Sequence, residues 1–281
     1  MMQSKQVRLG NINFINCLPL TYGLKHGGYA QDFAVVAGAP AMLNGLILEG
    51  RLDVSPVSSI IYAMNSDKLL IMPDLSISAN GFLQSILLVS KRPIDELHNA
   101  RVALTTKSAT SRTLFKIIMQ KAYRLTPAYY PSSAAWQTEA LAQADAALFI
   151  GDDALYAYHN KIPGCYYYDI GQEWRNLTGL PMVYALWVVT REFAAGQPAL
   201  LRRVYERLTG GLAYGLNNIR PAAASVAPHS PFSAVQITDY LQLLNYALAP
   251  AHQTALLTYY GLAQELGFID CVPQLRFAAV E

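Results

Sequence analysis

The segment Thr105-Thr106-Lys107-Ser108-Ala109-Thr110-Ser111 concentrates hydroxyl side chains between an apolar run, Arg101-Val102-Ala103-Leu104, and a stretch with helical apolar spacing at Leu114, Ile117, Ile118 and Ala122. Strand, hydroxyl loop, helix in that order bring free backbone amides, Ser/Thr hydroxyls and the positive end of a helix dipole to one point. That is chemistry for holding a carboxylate or a phosphate. Ser108 or Thr110 also suits plain N-capping, although the hydroxyls present exceed what one cap needs. Asp152, in Gly151-Asp152-Asp153, follows the apolar run Ala146-Ala147-Leu148-Phe149-Ile150 at its carboxyl end, where ligands of open α/β sheets bind. It either caps the next helix or faces a ligand, and adjacent carboxylates on a turn are not by themselves a general acid/base pair.

Other chemistry is disfavoured by spacing. His26, His98, His159, His229 and His252 are isolated, and Cys17, Cys165 and Cys271 are widely separated, so neither a metal site nor a disulfide framework is indicated. Dinucleotide, P-loop, nucleophile-elbow and zincin motifs are missing.

These residues must be positioned by a fold with strand, polar loop, helix repeats. Val7-Arg8-Leu9-Gly10 reads as a first strand with a loop from Asn11 to Asn16, Phe33-Ala34-Val35-Val36 as a second, and Asp53 to Ser59 as a third; helices over 39–49 and 59–65 complete a βαβ rhythm. Asp74 to Gly81 reads as a polar loop. Ser85-Ile86-Leu87-Leu88-Val89-Ser90 then forms a buried strand, and Met182 to Val189 is a second long apolar run. Both end in charge, at Lys91-Arg92 and at Arg191-Glu192. They are read as strands crossing between two lobes, with Ser85 facing the cleft; the alternative is two ordinary core strands of one sheet. The lobes would comprise residues 1–88 with 190–281, and residues 89–189. From Pro198 to Gly267 apolar spacing predicts mostly helix that packs rather than reacts.

The chain has 281 residues, of which 53% are hydrophobic and 14% charged, enough for two modest domains with sizeable cores. Its apolar runs are of strand length, short of the roughly 18 residues a membrane helix needs. Lys5 and Arg8 before an apolar region suggest an export signal, but Asn11, Asn13 and Asn16 interrupt it, so mature cytoplasmic sequence is expected. A net charge of +2 with scattered basic residues gives no nucleic-acid footprint.

Together GNINFINCLPLTYGL (Gly10 to Leu24), SPVSSI (Ser55 to Ile60), PDLSISANG (Pro73 to Gly81), TKSATS (Thr106 to Ser111), FIGDDAL (Phe149 to Leu155) and GQEWRNLTGLP (Gly171 to Pro181) resemble the chorismate dehydratases of the futalosine route to menaquinone. The resemblance covers nearly the whole chain, with motifs in family order and spacing. It implies an α/β, two-lobed fold like the type II periplasmic binding proteins, with two crossing hinge strands. It also implies conversion of chorismate to 3-[(1-carboxyvinyl)oxy]benzoate and water. By the same resemblance Asn16 and Ser85 match the catalytic pair, Thr110 and Ser111 the ligand-anchoring hydroxyls, and Ser58 the polar end of the third strand; the hydroxyl loop itself adds Ser108 as an expected binding residue. One departure stands out: where the family pattern has an acidic residue before the tyrosine, Ile61 precedes Tyr62, which predicts a packing difference.

The chemistry requires two carboxylates to be held, charge delocalised into the ring acid to be stabilised, and hydroxide to be helped away, with aromatisation as the driving force. Hydroxyls and amides suffice, so no metal and no cofactor is expected. The expected partner is a small dicarboxylate, with no nucleic acid or membrane, in a monomer or homodimer. Two further readings stay open: a dihydroxynaphthoate synthase of the same pathway, and a non-catalytic binding protein for a small carboxylate.

Overall fold

The computed structural model describes residues 6–280, so Lys5 of the leader-like segment lies outside the described residues. The strands in chain order are β1 (Val7–Ile12), β2 (Phe33–Gly38), β3 (Val54–Ser58), β4 (Leu69–Ala79), β5 (Ile86–Ser90), β6 (Arg101–Thr105), β7 (Ala128–Ser132), β8 (Ala146–Ile150), β9 (Tyr166–Asp169), β10 (Met182–Thr190) and β11 (Leu244–Asn245). They form two sheets, ordered β11-β4-β10-β3-β1-β2 and β7-β6-β8-β5-β9.

In the first sheet β1 runs parallel to β2 and β3, as the βαβ pattern requires, with the helices Leu18–His26 and Pro40–Leu48 as crossovers. Strand β10 lies antiparallel to β3 and β4 at the centre of that sheet, which is why its run from Met182 to Val189 is buried throughout. In the second sheet β6 is parallel to β7 and β8, and β5 is antiparallel to β8 and β9.

Two expectations are corrected by this topology. The apolar runs are not themselves the crossings: β5 belongs wholly to the second sheet and β10 wholly to the first. The chain passes between sheets in the short segments 80–85 and 179–181, so the division by sheet falls there rather than at 88/89 and 189/190. Charge after each run marks the end of a sheet and not departure from a lobe. The supposed polar loop from Asp74 to Gly81 is mostly strand: Leu75 to Ala79 are all buried, with apolar Leu75, Ile77 and Ala79 on one face and Ser76 and Ser78 on the other. The serine hydroxyls are satisfied by carbonyls of the β11 segment, Ser76 donating to Ala247 at 2.7 Å and Ser78 to Asn245 at 3.3 Å.

The C-terminal helices wrap the first lobe and reach the second. Helix Pro250–Glu265 donates from Tyr260 to the Ser59 carbonyl at 2.6 Å and from Tyr259 to the Thr110 carbonyl at 3.2 Å, stapling the helix Ser59–Met64 to the helix Ala109–Lys121 across the lobe boundary. Both tyrosines are fully buried, each contributing about 1.5–3 kcal/mol through removal of its ring from water. Among the described residues no helix is long and apolar enough to cross a membrane.

Candidate active site

Between the sheets lies a cavity with about 490 Å³ of empty space, counted to its open mouth. Its polar lining consists of Asn16, Ser58, Ser85, Ser108, Ser111 and Tyr184, with Phe14, Ile86 and Ile150 among the apolar walls. None of the residues lining it is Asp, Glu, Lys, Arg or His.

Asn16 sits in a single turn, Ile15–Cys17, after β1, and its carbonyl accepts from Tyr246 at 2.8 Å. Its side-chain Oδ1 is buried with no hydrogen-bond partner among the described residues, and so is the Tyr184 hydroxyl. Both residues line the cavity, and a group of this kind costs about 1–3 kcal/mol where it stays unpaired. Burial raises the Tyr184 pKa well above the ordinary tyrosine value, which keeps it a donor at neutral pH.

Ser85 is buried at the end of a turn fixed by Asp169. One Asp169 oxygen accepts from the amides of Leu83 at 3.0 Å and Gln84 at 2.7 Å; the other caps the helix Ile170–Thr178 through Gly171 at 3.0 Å and Gln172 at 3.1 Å. Gln84 is held at φ 65°, an unfavourable conformation for a residue with a side chain, and the Asp169 clamp is what sustains it. Burial raises the Asp169 pKa, against the lowering effect of the four amides. The Ser85 hydroxyl accepts from Tyr240 at 2.8 Å, and burial keeps Tyr240 protonated by raising its pKa.

Ser58 closes β3 and is pinned by Asn44, whose Oδ1 accepts from the Ser58 amide at 3.1 Å. Ser108 both caps the helix Ala109–Lys121, accepting from the Ser111 amide at 3.2 Å, and lines the cavity, so capping and ligand exposure coexist in one residue. Ser111 faces the same space. Thr110 does not line it: its hydroxyl accepts from the Ile60 amide at 3.1 Å and meets Ser59 Oγ at 3.2 Å, which places it in the contact between lobes.

Asp152 likewise lies outside the cavity lining, in an adjoining one that shares Ile12 and Phe14 with it. Its Oδ1 accepts from the Ile15 amide at 3.0 Å, a bond from the second lobe to the turn that carries Asn16. Burial pushes its pKa up to about 6, with the neighbouring Asp153 adding to the rise and the Ile15 amide opposing it. Gly151 beside it is required in kind: at φ 59° a Cβ would come within 2.7 Å of the Phe14 ring. Asp153 pairs with Lys107.

Sequence reasoning missed Tyr184, Tyr240, Asp169 and Asn44. An Asp before a helix signals a cap, but neither its second pair of amides nor the hydroxyl contact from Tyr240, 155 positions from Ser85, has a local signature. Ile61 packs partly buried against the core. Among the described residues no group of three or more His, Cys, Asp or Glu could hold a metal ion.

Two sheets with a ligand cavity between them are the architecture of the periplasmic binding proteins, and the likeness extends over the whole fold. The chain is similar to an Archaeoglobus fulgidus protein of known structure, at TM-score 0.76 and 19% identity over 95% of this chain and 100% of that one. It is also similar to the Escherichia coli periplasmic aliphatic sulphonate binding protein, at TM-score 0.68 and 15% identity over 97% and 91% of the two chains. By sequence, it is 30% identical over 92% of its length, and 94% of the relative's, to the chorismate dehydratase of Thermus thermophilus. The Campylobacter jejuni chorismate dehydratase is 33% identical over 63% of this chain and 64% of its own. The model of the menaquinone biosynthesis family matches residues 7–265, and the chain belongs to that family.

Proposed function

We propose that the protein is a chorismate dehydratase, a hydro-lyase that removes water from chorismate to give 3-[(1-carboxyvinyl)oxy]benzoate in menaquinone biosynthesis. The observation that carries the mechanism is the cavity lining: four serine hydroxyls, an amide and a tyrosine, the last two each with an unpaired oxygen, and no ionisable group apart from that tyrosine, which is held protonated.

In the reaction the C–H bond at ring carbon 3 and the C–O bond at carbon 4 both break, and hydroxide leaves with the proton as water. The lost proton is vinylogous to the ring carboxylate, so charge develops in that acid as the proton departs. Ser111 donates its hydroxyl hydrogen to Ser108 Oγ at 3.1 Å, which leaves Ser108 and Tyr184 to supply donors for the carboxylates. Ser85 receives the Tyr240 hydrogen and so turns its own outward, suited to the leaving hydroxide or the developing charge. Asn16 offers an acceptor to the hydroxyl and donors to the enolpyruvyl carboxylate.

The base is the substrate itself. Its enolpyruvyl carboxylate is tethered to the carbon that loses the proton, and a site that orients it exploits the high effective molarity of an intramolecular reaction. Incubating purified protein with chorismate, and following ultraviolet absorbance and product mass, tests the proposal; failure to form the aromatic ether rejects it.

A further inference from the structure

On the side of the helix Ala109–Lys121 away from the active-site cavity runs a groove of about 1030 Å³, counted to its open rim, between the helix Ser59–Met64 of the first lobe and β7 of the second. Arg112 and Lys116 line it four residues apart, hence on one helix face, and neither forms an ion pair among the described residues. No Asp or Glu lines the groove. The Lys116 ammonium lies over two rings, 5.2 Å from the Tyr129 centroid and 5.8 Å from that of Phe268, and Tyr130 supplies a further aromatic wall. The Tyr129 hydroxyl is buried without a partner. Two cations without carboxylate partners and aromatic walls in one concave space match a flat ring bearing carboxylates.

We infer that this groove is a second small-molecule site, for an aromatic carboxylate held by Arg112 and Lys116 against Tyr129 and Phe268. Its occupant touches both lobes. It also touches the helix whose first turn lines the active-site cavity, since Ser111 faces the cavity and the next residue, Arg112, faces the groove. Binding therefore favours the arrangement of lobes in which the groove is complete. The inference does not depend on the reaction proposed for the cleft.

Titration calorimetry with benzene-1,3-dicarboxylate tests it on wild type and on Arg112→Gln/Lys116→Gln, with thermal unfolding of each to show that the fold is kept. Saturable binding to wild type is expected, weakened at least tenfold in the double variant. Inorganic phosphate and cyclohexane-1,3-dicarboxylate should bind more weakly than the aromatic probe. No binding to wild type, equal binding to the double variant, or phosphate binding as well as the arene would overturn the inference. If the double variant does not fold, Lys116→Gln alone is titrated, and unchanged affinity there has the same meaning.

Discussion

Tyr240 donates its hydroxyl hydrogen to Ser85 Oγ across 2.8 Å, from a C-terminal helix to the turn between the two sheets. A hydroxyl that already accepts such a bond presents its own hydrogen in a defined direction, and the raised Tyr240 pKa keeps the donor in place at any pH where the enzyme works. Tyr240→Phe retains the ring and removes only that donor. Turnover should fall about 10- to 100-fold with the Michaelis constant changed less than about threefold, the pattern of an interaction made chiefly in the transition state. Steady-state kinetics decide it, and a variant with unchanged turnover would show that Ser85 needs no orientation.

Ser85→Ala and Asn16→Ala should each lower turnover about 100-fold or more, on the scale for removing one donor to developing charge, while product affinity changes only severalfold. Rapid-quench rates alongside product titration make the comparison. Loss of affinity equal to the loss of rate would assign both residues to ground-state binding.

Ser111 and Thr110 are neighbours with different prospects. Ser111→Ala removes the hydroxyl that donates to Ser108 Oγ and so orients the Ser108 hydrogen, and should weaken substrate binding by about 1–3 kcal/mol. Thr110→Val removes the acceptor for the Ile60 amide, so its main cost should be stability, about 1–3 kcal/mol in urea unfolding, with a smaller effect on binding. The reverse assignment would mean that Thr110 reaches substrate.

Asp169→Ala should cost about 2–4 kcal/mol, combining a lost cap with the lost anchors of Leu83 and Gln84. Turnover should fall with it as the Ser85 turn loosens, and Asp169→Asn should restore part of both. Stability lost without any effect on turnover would separate the clamp from catalysis.

Asp152 gives a pH test. Its folded pKa, about 6, lies above the ordinary carboxyl value, so the native state holds the proton more tightly than the unfolded chain. The stability this contributes is complete below about pH 4 and is lost as pH rises through about 6. Urea unfolding of wild type and Asp152→Asn at intervals across that window should show wild type losing stability relative to the variant, with the gap constant above about pH 7. A gap that does not vary would contradict the shift. The variant should keep substantial turnover; abolished turnover with fold and binding intact would make Asp152 the base.

Much of the architecture was legible because strand-length apolar runs alternate with helical spacing, and the hydroxyl loop at Ser108 and Ser111 was legible because strand, loop and helix occur in sequence. The misreadings have physical causes. Ser76 and Ser78 look like loop residues until β11 supplies their acceptors. Strand β10 looks like a crossing because a run buried on both faces carries no sign of which sheet surrounds it. Thr110 and Ser111 differ by one position on a helix, about 100° of rotation, which decides between lobe contact and cavity. Tyr240 shares an apolar helix face with Ile237 and Leu241, so its pattern reads as core, and only the tertiary fold brings its hydroxyl to Ser85.

Chorismate deuterated at carbon 3 reports loss of the hydrogen at carbon 3 together with hydroxide from carbon 4. Purified wild-type protein should convert it to an aromatic ether lighter than the substrate by one water containing the deuterium, with Ser85→Ala and Asn16→Ala far slower under the same conditions. Recovery of unchanged chorismate after prolonged incubation with folded protein, or an aromatic product that retains the label, would contradict the account.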